Sequence, residues 1–159
     1  MSRQATRSDT ARTKVQATCV ALDGVGLLLR GPSGAGKSDL ALRLIDGGAA
    51  LVADDLTEVT RGGQTLTACL PADAPPETRG RLEVRGLGLL AVPTVDSAPL
   101  GLVVELTPQA EIERLPEPQR WICLGIALPA VALDPLPASA AAKLRLVVRG
   151  LPGFIMPPP

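Results

Sequence analysis

The spacing of apolar positions changes twice in the first third of the chain. Val15 to Ala21 reads as a strand, Asp23-Gly24 as a tight turn, and Leu27 to Arg30 as the returning strand. A glycine-rich loop follows at once. From Ser38 to Asp46 the spacing lengthens to that of a helix, with Leu40, Ala41, Leu44 and Ile45 on one stripe. Gly47-Gly48 can end that helix, because glycine accepts a left-handed backbone. Ala50 to Ala53 is a short apolar run consistent with a buried strand, and Asp54-Asp55 stands at its C-terminal end. After one crossover helix, this strand is expected to lie beside the one that feeds the loop. The order strand, strand, loop, helix, strand predicts an α/β core.

Further along, shorter strands are expected at Leu56 to Thr60, Gln64 to Cys69, Leu82 to Arg85, Leu89 to Val92 and Leu102 to Leu106. Pro71, Pro75 and Pro76 mark a surface loop, and the polar, proline-interrupted stretch Glu113 to Trp121 reads as another. Ala138 to Val148 predicts a second helix, capped by Ser139. No repeat or linker divides the chain, so one domain is expected over 15–149, between a basic tail (1–14) and a proline-rich tail (150–159). The basic tail loosely resembles an organelle transit peptide. It lacks the apolar face of an amphipathic helix, and disorder is the expectation.

Composition narrows the chemistry. A chain of 159 residues, 46% apolar and 20% charged, is large enough for one domain with a real core. Aromatics are only 1%, Trp121 and Phe154, so the core must be aliphatic and a base-stacking surface is lacking. Basic and acidic side chains balance at 16 each, which argues against nucleic acid as a partner. There is no His, the commonest general base and metal ligand. Proton transfer must fall to Asp, Glu or Lys, and any metal should be a hard, oxygen-bound ion such as Mg²⁺. Cys19, Cys69 and Cys123 form no CxxC pair, which argues against zinc and fits a reducing cytoplasm. No apolar run approaches the ~18 residues of a membrane span.

Residues 31–38 read GPSGAGKS, a full GxxxxGK[ST] phosphate-binding loop placed between a predicted strand and a predicted helix. Gly31, Gly34 and Gly36 let the backbone approach an anion without Cβ clashes. The N–H groups of the loop, Gly31-Pro32-Ser33-Gly34-Ala35-Gly36 together with Lys37 and Ser38, and the helix start then face phosphate oxygens; Pro32 alone has no N–H to give. Lys37 reaches the β- and γ-phosphates, and the Ser38 hydroxyl ligates Mg²⁺. The expected ligand is ATP with Mg²⁺. Asp54 and Asp55 follow Ser38 by 16 and 17 residues at a strand end, where ligands of open sheets sit. Two such carboxylates can divide the work: one takes the proton of an attacking hydroxyl, the other helps hold Mg²⁺.

With these motifs the chain resembles the catalytic domain of the HPr kinase/phosphorylase family. The matching stretches are ATCVALDGVGLLLRGPSGAGKSDLALRLIDGGAALVADD (17–55), LEVRGLGLL (82–90) and, more weakly, ERLPE (113–117). The combination is specific, because ordinary P-loop ATPases lack LEVRGLG. The brief form resembles the version found in alphaproteobacteria, without the family's N-terminal domain. The resemblance implies a P-loop kinase core of the HPr kinase/phosphoenolpyruvate carboxykinase-like type, a mixed sheet with few helices. It implies phosphorylation of a seryl hydroxyl on the phosphocarrier HPr, regulating a phosphotransfer system in the cytoplasm, and a homo-oligomer that is a hexamer in the family. By the same resemblance Asp54 is the proton acceptor and, in reverse, the donor. Lys37 contacts phosphate, Ser38 and Glu83 ligate magnesium, and Arg114 is an active-site arginine. Arg85, Gly86 and Gly88 lie in the family's signature loop.

The chain departs from the family pattern in three places. Gln16 stands fifteen residues before Gly31, where the family usually has His. Segment 128–143 carries positive charge only at Lys143, so phosphorolysis has less support than phosphorylation. The chain also ends soon after Val148, short of the longer helical C-terminus of larger members, which takes support from partner docking and hexamer assembly. Two other readings compete: a degenerate ATP-binding regulator without transferase activity, which Gln16 favours, and a small-molecule kinase, which the lack of an Arg-rich lid opposes.

Overall fold

A computed structural model of the chain describes residues 11–151. Ten strands and two α-helices follow in the order β1 (Arg12–Leu22), β2 (Val25–Arg30), α1 (Lys37–Asp46), β3 (Ala50–Ala53), β4 (Leu56–Gly62), β5 (Thr65–Cys69), β6 (Arg81–Val84), β7 (Gly88–Ala91), β8 (Ser97–Leu106), β9 (Gln119–Cys123), β10 (Ile126–Leu133) and α2 (Ala140–Gly150). This is the mixed sheet with few helices that was expected.

The long strands β1 and β8 organise it. The second half of β1 lies between β2 and β3, antiparallel to both. The second half of β8 lies between β2 and β10, parallel to both, and β9 forms the far edge. The first halves of the same two strands pair instead with the β4–β5 hairpin. The chain thus forms a sheet with a second sheet layer folded over one face.

Alternation explains the two cores. Leu27, Leu29, Leu102 and Val104 point to one face, where Leu40, Leu44, Leu144 and Val147 of the helices cover them. Leu28, Val103 and Cys19 point to the other, against Val59, Leu66 and Ala68 of the hairpin. A strand covered on both faces reads as an unbroken apolar run, as GLLL and LVV do. Cys19 is fully buried, and burial pushes its thiol far above the ordinary range.

Several expectations shift. β3 does not lie beside β2: β1 stands between them and makes both of them its antiparallel partners. Residues 12–14, expected in the basic tail, begin β1, and Lys14 pairs with Asp73 at 2.8 Å. Gly150, expected in the C-terminal tail, closes α2. The rest of both tails, 1–10 and 152–159, lies outside the described residues. Ser139 occupies the cap position of α2, but its side chain makes no capping bond. Residues 119–121, expected in a loop, begin a hairpin whose turn places Leu124 (φ 51°) and Gly125 (φ 80°) in left-handed backbone. Among the described residues no helix is long and apolar enough to cross a membrane.

Candidate active site

Residues 31–36 join the C-terminal end of β2 to α1. Arg30, just before them, is fixed by an ion pair with Glu105 and lies 5.2 Å from the centre of the Trp121 ring. Gly31 packs closely: a Cβ there would lie 3.1 Å from Ala35 and 3.2 Å from Leu106. Gly34 holds a left-handed backbone (φ 83°), and nothing lies within 4 Å of where its Cβ would stand. The loop is therefore tight at Gly31 and open around Gly34. No side chain caps the start of α1, so its first-turn N–H groups are left for an anion. Lys37 is 8% exposed, and its Nζ donates to the carbonyls of Gly31 (2.6 Å) and Pro32 (2.9 Å).

Asp54 is the junction of the site. Its Oδ1 accepts the hydroxyls of Thr18 (2.8 Å) and Ser38 (2.9 Å), and its Oδ2 accepts the backbone N–H of Glu83 (3.1 Å). One carboxylate so ties together β1, α1 and β6. Its position follows from a break in the partner of β1. Gln16 opposes Leu56 in β4 and Cys19 opposes Ala53 in β3, so Thr18 faces Asp54. Between those strands the chain makes a three-residue γ-turn, with Leu56 N–H on the Asp54 carbonyl (2.8 Å) and Asp55 at φ 68°.

A cleft of about 690 Å³ opens beside the loop, within the size range of small-molecule sites. Lys37, Ser38 and Asp55 form one wall, and Glu83, Arg85 and Gly86 of the β6–β7 hairpin form the other. That hairpin is a separate two-stranded sheet, held to α1 through fully buried Leu82. Among the described residues no three or more His, Cys, Asp or Glu gather as a metal cage. The oxygen donors lining the cleft are the Ser33 and Ser38 hydroxyls and the carboxylates of Asp39, Asp55 and Glu83. They fit Mg²⁺, which keeps several waters and takes few protein ligands, better than an ion needing a full cage.

Residues 8–144 match the family described as HPr Serine kinase C-terminal domain. The chain belongs to this family. Among curated relatives, the HPr kinase/phosphorylase of Burkholderia cenocepacia (strain HI2424) is 40% identical over 121 residues, which is 70% of this chain and 37% of that protein. The protein of the same name from Paraburkholderia phymatum matches to the same extent. The chain thus spans little more than a third of the length of these relatives. The structure of the Hpr(Ser) kinase/phosphatase from Coxiella burnetii superposes with a TM-score of 0.75 at 26% identity, over 87% of this chain and 89% of that one.

In this HPr kinase domain, the fold brings Lys37, Ser38, Asp54, Asp55 and Glu83 to one place. It does not bring Arg114 there. That residue is exposed on the loop after β8 and lines neither this cleft nor a second, acidic one beside Trp121. Gln16 is exposed on β1, on the same strand face as Thr18. Two residues at the site had no role assigned from the sequence. Arg85 has a visible signal, a cation between Glu83 and Gly86. Thr18 has a faint one, a single hydroxyl in the run ATCVAL.

Proposed function

We propose that this chain transfers the γ-phosphoryl group of ATP to a seryl hydroxyl of HPr or a related phosphocarrier, with Mg²⁺, in the cytoplasm. The observation that carries this reading is the position of Asp54, bonded to Ser38 of the phosphate-binding loop and to the backbone of Glu83 across the cleft. The Ser38 hydroxyl donates its hydrogen bond to Asp54, which leaves its lone pairs free for a cation. Asp55 and Glu83 supply nearby carboxylate oxygens. Ser38, Asp55 and Glu83 would hold Mg²⁺ here, and the ion would supply positive charge to offset the negative charge developing on the transferring phosphoryl group.

The carboxylate of Asp54 has about four acceptor positions. Three are used, and the remaining one on Oδ2 can take the proton of an acceptor hydroxyl as its oxygen bonds to phosphorus. Lys37 exchanges its two carbonyl partners for phosphate oxygens. Arg85 adds positive charge from the hairpin side. Arg114 is assigned to the docking acceptor, because its loop leaves the same end of β8 that borders Gly31.

Gln16 favours a second reading, a regulator that binds ATP without transferring it. The loop 134–137 also packs on the phosphate-binding loop, with Pro135 3.3 Å from a Cβ on Gly36, and carries no cation for phosphorolysis. Incubation with γ-labelled ATP, Mg²⁺ and the source organism's HPr separates the readings. Label should reach HPr with the wild type and not with Lys37→Ala. Tight ATP binding without transfer would establish the regulator.

A further inference from the structure

We infer that Thr18 is a positioning residue, which sets the orientation of Asp54 and the backbone of Asp55 for phosphoryl transfer; this rests on the kinase reading above. Thr18 is fully buried. Its Oγ accepts the N–H of Asp55 at 3.2 Å and donates its only hydrogen to Asp54 Oδ1 at 2.8 Å. The two bonds fix each other: the lone pair held by Asp55 directs the hydrogen towards Asp54.

The need for such a residue comes from the γ-turn. Where β3 gives way to β4, the ladder on β1 is interrupted at Asp54-Asp55, and backbone groups lose their regular partners. Two buried hydroxyls replace them. Thr57 donates to the Ala17 carbonyl at 2.9 Å, and Thr18 accepts from Asp55. Only Thr18 also touches the carboxylate that the reaction uses. Asp54 Oδ1 shares its two hydrogen bonds between Thr18 and Ser38, and Oδ2 takes the Glu83 N–H, so without Thr18 the carboxylate loses its one side-chain bond to β1 and is held only from α1 and the β6–β7 hairpin. A rigid strand then no longer aims the proton acceptor.

Thr18→Val keeps the shape and removes the hydroxyl, while Thr18→Ser keeps the hydroxyl and removes a methyl. Both should lower the melting temperature, so stability alone does not separate them. In transfer assays below both melting temperatures, Thr18→Val should lose at least about tenfold in kcat with the KM for ATP within about twofold. Thr18→Ser should stay within about threefold of wild type in both. By NMR, exchange of the Asp55 amide with deuterated water should accelerate in the Val variant and not in the Ser variant. Equal kcat in wild type and Thr18→Val, or equal losses in both variants, would overturn the inference. So would an unchanged Asp55 exchange rate in Thr18→Val. A wild type that transfers nothing, yet shows the Asp55 exchange pattern, would reject the kinase reading and leave Thr18 as the residue that sets this turn.

Discussion

Ser38 and Asp54 are joined by a 2.9 Å hydrogen bond between the first turn of α1 and the end of β3. That bond links the phosphate-binding loop to a carboxylate on a strand that is not its neighbour in the sheet. In the proposed reaction this link holds the proton acceptor at a fixed distance from the loop that takes the phosphates.

Asp54→Asn should sharply reduce transfer and spare binding. An amide has one acceptor oxygen where the carboxylate has two, so Thr18, Ser38 and Glu83 can no longer all be satisfied. Transfer to HPr should fall by about 10²- to 10⁴-fold, the usual worth of a general base. Calorimetry should find ATP affinity within about threefold of wild type. Retained transfer would remove Asp54 from the role of proton acceptor.

Arg85 and Arg114 should behave differently. Arg85 lines the cleft and Arg114 does not. Steady-state kinetics should show Arg85→Ala lowering kcat by at least about tenfold, through loss of charge stabilisation in transfer. Arg114→Ala should mainly raise the KM for the protein acceptor. The reverse pattern would place Arg114 at the phosphates and the hairpin arginine outside them.

Gln16 stands where an imidazole is usual in the family, two positions from Thr18 on the same strand face. Gln16→His should raise the transfer rate about tenfold, or about 1.4 kcal/mol of barrier, with a new pH dependence near about 6.5. An unchanged rate and pH profile would show the position to be dispensable for phosphorylation.

Cys19 should make the fold sensitive to alkali. Burial pushes its thiol well above the ordinary range, so the folded chain keeps the proton that the unfolded chain releases. Stability from this site is fully present below the unfolded pKa and is lost as pH rises above it. Cys19→Ala should be less stable at neutral pH because it leaves a cavity. Above about pH 9 the difference from wild type should narrow by up to about 1.4 kcal/mol per pH unit. Urea midpoints at pH 7 and pH 10 measure this, and a gap that widens would contradict it.

Much of the core was legible because local chemistry and fold agree. Asp23 and Gly24 take the left-handed turn their types favour, and Leu40, Ala41, Leu44 and Ile45 are buried as their spacing predicts. The β9–β10 hairpin was hidden by Leu124 in a position that favours glycine and by Pro129, which stands just before the residues of β10 paired with β8. The place of β3 was hidden for another reason. The chain segment that separates it from β2 in space is β1, which precedes both in sequence, and no local pattern reports such a pairing. Thr18 was illegible for the same cause, since its partner Asp54 lies 36 positions away.

Phosphate-site mapping on HPr is the most direct test. After reaction with the wild type, ATP and Mg²⁺, mass spectrometry should find one phosphate per HPr on a seryl oxygen, and none after reaction with Lys37→Ala. Unmodified HPr, or phosphate on a histidine or another residue type, would contradict the assignment of this cleft to protein-serine phosphorylation.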